Sequence, residues 1–122
     1  LDDAILIKDN HIALAGSIQA AVGKARYSCG HLVKIEVEVD DLDQLREALA
    51  LEVEVVLLDN MSLDQLSDAV RLTNGRALLE ASGGIDLESA PAIAETGVDL
   101  LSVGWITHSA PALDVGLDLL PL

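Results

Sequence analysis

Lys8, Glu38, Asp59, Ser82 and Gly104 each close a strand-like apolar run, at intervals of 30, 21, 23 and 22 residues. Their types suit anionic, hydroxyl-rich ligands. Lys8 follows Ile5-Leu6-Ile7 and precedes Asp9-Asn10-His11. A lysine at a strand end is a natural anion ligand; the alternative is a surface lysine paired with Asp9. Glu36 and Glu38 alternate in KIEVEV, so they share one face. Glu38 lies nearer the strand end and is the better functional candidate; the alternative is a face near solvent with a salt bridge to Lys34. Asp59 is expected to end the neighbouring strand at the same height as Glu38. Two such carboxylates suit sugar hydroxyls or a Mg²⁺ held directly or through its waters. No histidine and cysteine set has zinc spacing. Ser82-Gly83-Gly84 opens a loop into a helix, where glycines admit close backbone approach and N–H groups favour phosphate. A turn is the plainer reading of that triplet, but Gly104 repeats the pattern one strand later, and His108 could add an N–H. His11 is open between a base or ligand and a hydrogen-bonded structural residue. The direction of Glu80 is not assignable from the sequence.

The elements that must position these residues alternate strand and helix. A strand over 4–8 is continuously apolar, as for a strand buried on both faces. Ser17 then caps a helix with Ile18, Ala21, Val22 and Ala25 on one face, ended by Gly30. The second strand is 34–39, and Asp40 or Asp41 caps a helix with Leu42, Leu45 and Leu49 inward. The third strand, 53–58, leads to a helix opened by the capping box of Ser62 and Gln65, with Met61 as staple and Leu63, Leu66 and Val70 as its stripe. The fourth strand is 77–81. A helix over 87–96 follows, capped by Asp86 and closed by Gly97, with Pro91 implying an irregular first turn or a later start. The fifth strand is 98–103, and the form of the tail after His108, with Pro111 and Pro121, is not fixed by pattern.

Short strand–helix–strand steps imply parallel strands with right-handed crossovers. The unit length is that of a parallel β/α barrel, where units average roughly 30 residues and chemistry sits at the C-terminal strand ends. The expected fold is therefore α/β, a partial TIM-like barrel of about five units; an open doubly wound sheet is the rival.

Composition narrows the partners. The chain has 122 residues, enough for one domain with a real core, and is 51% hydrophobic. With 21 acidic and 7 basic residues its net charge is −14, which argues against nucleic acid and anionic membranes as ligands. No apolar run approaches the roughly 20 residues of a membrane helix. The start is neither basic nor followed by a cleavage pattern, so no signal peptide is expected. Cys29 is the single cysteine, so an internal disulfide is impossible and a reducing, cytoplasmic setting is expected. Opening on Leu1 inside a strand, the chain reads as the later part of something longer.

Together the segments ILIKDNHI (5–12), KIEVEVD (34–40), VVLLDNMS (55–62), LEASGGI (79–85), GVDLLSVGWITHS (97–109) and LDVGLDL (113–119) resemble quinolinate phosphoribosyltransferase, the carboxylating nicotinate-nucleotide pyrophosphorylase of NAD synthesis. They occur in that family's order across nearly the whole chain. The resemblance implies a barrel of fewer than eight regular strands behind an N-terminal mixed domain, in a dimer or larger homo-oligomer with active sites at the interface. It implies conversion of quinolinate and phosphoribosyl pyrophosphate to nicotinate mononucleotide, pyrophosphate and CO₂, with Mg²⁺ as cofactor. By motif, Lys8 would touch the quinolinate carboxylates. Glu38 and Asp59 would hold ribose hydroxyls and the hydrated Mg²⁺. Ser82, Gly83, Gly84 and Gly104 would bind phosphate, with His108 nearby.

The family's cationic Thr-Arg-Lys-Thr and His-Arg segments precede the lysine motif and are not in these 122 residues. Residues 1–122 are therefore expected to be the C-terminal part of the barrel domain, inactive alone. The alternative is a phosphate-binding module or a metal-transport-associated paralogue on the same scaffold.

Overall fold

The computed structural model describes residues 4–30 and 33–104. Five strands form one parallel sheet: β1 (Ala4–Ile7), β2 (Lys34–Val39), β3 (Val55–Asp59), β4 (Leu78–Ser82) and β5 (Leu100–Leu101). They are ordered β1-β2-β3-β4-β5, each beside its neighbour in sequence. A doubly wound sheet reverses direction at a switch point; this one does not, so the rival architecture is excluded.

The helices are α1 (Asp9–Ala15), α2 (Ile18–Cys29), α3 (Leu42–Ala50), α4 (Leu63–Thr73) and α5 (Ala90–Glu95). Each packs on the next in sequence, forming one layer on one face of the sheet. Between the layers lie Ile35, Val37, Val39, Val56, Leu58, Leu79 and Ala81 from the strands, against Val22, Leu45, Ala48, Leu49, Leu66 and Ala69 from the helices. This outer strand face is the odd-parity set of KIEVEV, so Glu36 and Glu38 point to the other, inner face.

The caps follow the sequence closely. Ser17 Oγ accepts from the Ala20 N–H at 3.0 Å, and Asp41, rather than Asp40, accepts from the Gln44 N–H at 2.8 Å. Ser62 and Gln65 close the reciprocal capping box. Four expectations shift. A helix, α1, occupies 9–15 immediately after β1, where the sequence suggests a loop. Leu63 is 46% exposed, so the inward face of α4 keeps Leu66 and Val70 and adds Ala69 and Thr73 in place of Leu63. The last helix starts late: Asp86 Oδ1 takes the N–H groups of Glu88 and Ser89 in a turn, and Pro91 falls in the first turn of α5, where its missing N–H costs nothing. β5 is only two residues long, pairing with β4 through Glu80↔Leu100 and Ala81↔Leu101.

At the N-terminal end of the sheet, two loop carboxylates reach back to the preceding strand. Glu54 Oε1 accepts from the Ile35 N–H, and Asp99 Oδ2 from the Leu79 N–H, both at 2.8 Å. β1 and β5 are the edges of the described sheet. Beside β1, a groove of about 280 Å³ is lined by Ile5, Ile7, Leu14, Ala21 and Ala25 among others.

Candidate active site at the strand tops

Register decides which side chains meet. Ile7 is opposite Val37, so Lys8 follows at the level of Glu38. Glu38 is opposite Leu57, and Asp59 is opposite Ser82. By alternation Lys8, Glu38, Asp59 and Ser82 share the inner face at the C-terminal rim. One expectation is corrected: Asp59 stands one pleat above Glu38, because Leu57 fills the position across from Glu38. Asp40, one pleat beyond Glu38, is the residue at the height of Asp59.

The rim is crowded with negative charge. Burial is the main cause holding the Glu38 carboxyl above the usual carboxylate range; the Asp59 charge adds to it, and Lys8 opposes it. Asp9 and Asp40 push in the same direction as Asp59. Asp40 is also raised, first by burial, then by the charge of Asp9 and a side-chain hydrogen bond shared with it. A cation or a ligand hydroxyl would relieve this repulsion. Beneath the rim, Glu36 and Glu80 are buried on the same inner face, at 6% and 4% exposure. Burial raises both, and Glu36 reaches about 7 with added repulsion from Glu80 and Glu38.

The loop after β4 packs on the loop after β3. Ser82 Oγ donates to Asp59 Oδ1 at 3.3 Å, and the Asn60 N–H donates to the Ser82 carbonyl at 2.9 Å. Gly83 and Gly84 have φ of 95° and 66°, a region that favours glycine. No carbonyl among the described residues takes the N–H of either. Gly104 closes on the same loop: its N–H donates to the Ile85 carbonyl at 2.9 Å. That N–H is therefore spent, and Gly104 offers a ligand space rather than a donor.

His11 belongs to the helix start, since its Nδ1 accepts the Lys8 backbone N–H at 3.1 Å. That fixes the turn carrying Lys8 and gives the histidine a structural role. His108 lies outside the described residues. Sequence reasoning passed over Asp9, Asp40 and the inward direction of Glu80. The parity was available: Asp40 continues the Glu36, Glu38 alternation, and Glu80 shares parity with Ser82.

No group of three histidine, cysteine or acidic side chains among the described residues is placed to ligate a metal directly. Two repelling carboxylates with hard oxygens fit a Mg²⁺ that keeps most of its water, as that ion commonly does.

The strand order and one-sided helices define part of a β/α barrel with an acidic C-terminal rim. Residues 1–118 match the family model for the quinolinate phosphoribosyl transferase C-terminal domain. A nicotinate-nucleotide pyrophosphorylase (carboxylating) of Mycobacterium leprae is 50% identical over 122 residues, covering 98% of this chain and 43% of that protein. The human protein of the same name is 34% identical over 122 residues, covering 98% of this chain and 41% of its own length. The solved nicotinate-nucleotide pyrophosphorylase of Francisella tularensis superposes with a TM-score of 0.80 at 48% identity, over 85% of this chain and 37% of that one. This chain belongs to the quinolinate phosphoribosyl transferase family, in its C-terminal domain. It spans less than half the length of these relatives.

Proposed function

We propose that the full-length protein containing this chain transfers the phosphoribosyl group of phosphoribosyl pyrophosphate to quinolinate, with decarboxylation to nicotinate mononucleotide. The observation that carries this reading is the meeting of Lys8, Glu38 and Asp59 on one face of the rim in a member of this family. Lys8 would hold a quinolinate carboxylate. Glu38 and Asp59 would bind the ribose hydroxyls and lie beside the ring as its anomeric carbon gains positive charge, which carboxylates stabilise. The pyridine nitrogen attacks that carbon as pyrophosphate departs, and CO₂ is then lost from the cationic adduct. A Mg²⁺ held through water by Glu38 and Asp59 would neutralise charge on the departing pyrophosphate. The loop of Ser82, Gly83 and Gly84, with Gly104 and His108, would receive the phosphate group.

Residues 1–122 are read as the C-terminal part of the barrel domain, and the dicarboxylate and pyrophosphate need cations from elsewhere in the protein. A homo-oligomer, dimer or larger, in the cytoplasm accords with this reading; no helix among the described residues is long and apolar enough to cross a membrane. The test is to incubate purified full-length protein with quinolinate, phosphoribosyl pyrophosphate and Mg²⁺ and to measure nicotinate mononucleotide and CO₂. Equimolar release of both is expected; absence of nicotinate mononucleotide would refute the reading.

A further inference from the structure

We infer that Ser82 is a positioning residue for the Asp59 carboxylate rather than a phosphate ligand through its hydroxyl, and that Gly83 makes this placement possible. The inference rests on the reading above, in which Asp59 acts on the substrate. Asp59 and Ser82 are register partners, and Ser82 grips its neighbour twice: through Oγ to Asp59 Oδ1 at 3.3 Å and through its carbonyl to the Asn60 N–H at 2.9 Å. A serine hydroxyl carries one proton to donate. Donated to Asp59, that proton is not available to a phosphate oxygen, which needs donors. The phosphate is then left to the N–H groups of the glycine loop.

Gly83 seals the arrangement. A Cβ there would stand 2.7 Å from Asn60 N, 2.9 Å from Asn60 Cα and 3.1 Å from Asp59 Oδ1. The first two are backbone atoms and cannot swing aside. Asn60 is itself held at φ 56°, in the left-handed region. The bare glycine thus lets the β4 loop lie flat against Asp59–Asn60 and keeps the hydroxyl within reach of the carboxylate. A fixed orientation matters because Asp59 is surrounded by Glu38 and Asp40, whose repulsion would otherwise turn it toward solvent.

The experiment uses the full-length protein and the variants Ser82→Ala, Ser82→Thr, Asp59→Asn and the double variant Ser82→Ala/Asp59→Asn. Calorimetry measures inorganic phosphate binding without metal, and steady-state assays give kcat and the Mg²⁺ requirement. Ser82→Ala is expected to bind phosphate within about twofold of the parent but to lose about tenfold in kcat, the usual scale for a hydrogen bond to a charged group. Ser82→Thr, which keeps the hydroxyl, restores turnover. Ser82→Ala adds no further loss in the Asp59→Asn background, because residues acting as one unit are not additive. Weakening of phosphate binding by tenfold with kcat unchanged would overturn the inference. So would losses that multiply in the double variant. Full turnover in Asp59→Asn alone would instead remove the assignment of Asp59 to the site, and the inference with it.

Discussion

Replacing Glu36 by glutamine should stabilise the protein at alkaline pH and leave it unchanged near pH 4.5. Glu36 is buried on the inner face of the sheet, and its carboxyl is raised from 4.5 to about 7, first by that burial and then by Glu80 and Glu38. The native state therefore holds a proton that the unfolded chain releases at lower pH. Between about 4.5 and 7 the native state binds more protons, so stability falls as pH rises, and above 7 the full cost of the buried charge is present. At about 1.4 kcal/mol per tenfold change in proton affinity, this rise corresponds to about 3 kcal/mol. Screening by water at the open side of the sheet reduces the working figure to about 2 kcal/mol. Glutamine keeps the shape and is neutral throughout. The measurement is urea unfolding of parent and Glu36→Gln by far-ultraviolet circular dichroism at pH 4.5, 6, 7 and 8. The other raised carboxyls, Glu38, Asp40 and Glu80, are present in both proteins, so the difference reports Glu36 together with its repulsion by Glu80 and Glu38. A difference that stays flat across this range, or that shrinks as pH rises, would refute the argument that the carboxyl is buried beside like charges.

Lys8→Ala in the full-length protein should weaken quinolinate binding and lower turnover by roughly 10- to 150-fold, the value of one charge-assisted contact of about 1.5–3 kcal/mol, and unchanged quinolinate kinetics would reject its role. Glu38→Gln and Asp59→Asn should each reduce turnover and raise the Mg²⁺ concentration needed for half-maximal rate; equal metal dependence in all three proteins would make these carboxylates structural. Gly83→Ala should lower the melting free energy by more than about 2 kcal/mol, since strain at positive φ adds to a backbone clash, whereas Gly84→Ala, with open space at its Cβ, should lose only about 1 kcal/mol; thermal unfolding of the two variants ranks them. Residues 1–122 expressed alone should form no nicotinate mononucleotide and should self-associate through β1 and β5, the edges of the described sheet, and a monomeric, active fragment by light scattering and assay would contradict this.

The strands and most caps were legible because their signals are local. KIEVEV buries one parity against helices, so Val37 and Glu38 sort themselves to opposite faces. Ser17, Asp41 and Ser62 carry side chains that cap a helix by short-range hydrogen bonds. What stayed hidden depends on neighbours. The offset of Asp59 from Glu38 is a property of the β2–β3 register, which no single segment encodes. The α1 helix starts at a lysine, a residue that caps through its backbone with help from His11 and so leaves no capping signature. LLEAS lacks clean alternation, so the inward direction of Glu80 follows only from its pairing with Leu57 and Leu100.

The two back-reaching carboxylates, Glu54 and Asp99, sit at the opposite end of the sheet from the rim and take the N–H groups of Ile35 and Leu79. A slip of one residue in either strand would turn its inward acids toward the helices and bury them in hydrocarbon. Each carboxylate therefore works as an index pin. It supports the phase of β2 or β4 from below, and the bonds of Ser82 to Asp59 and Asn60 support it from above. The lower ends of these strands thus carry alignment without carrying any of the proposed chemistry. A lineage could retune what the upper ends bind, one side chain at a time, without ever losing count along the strand.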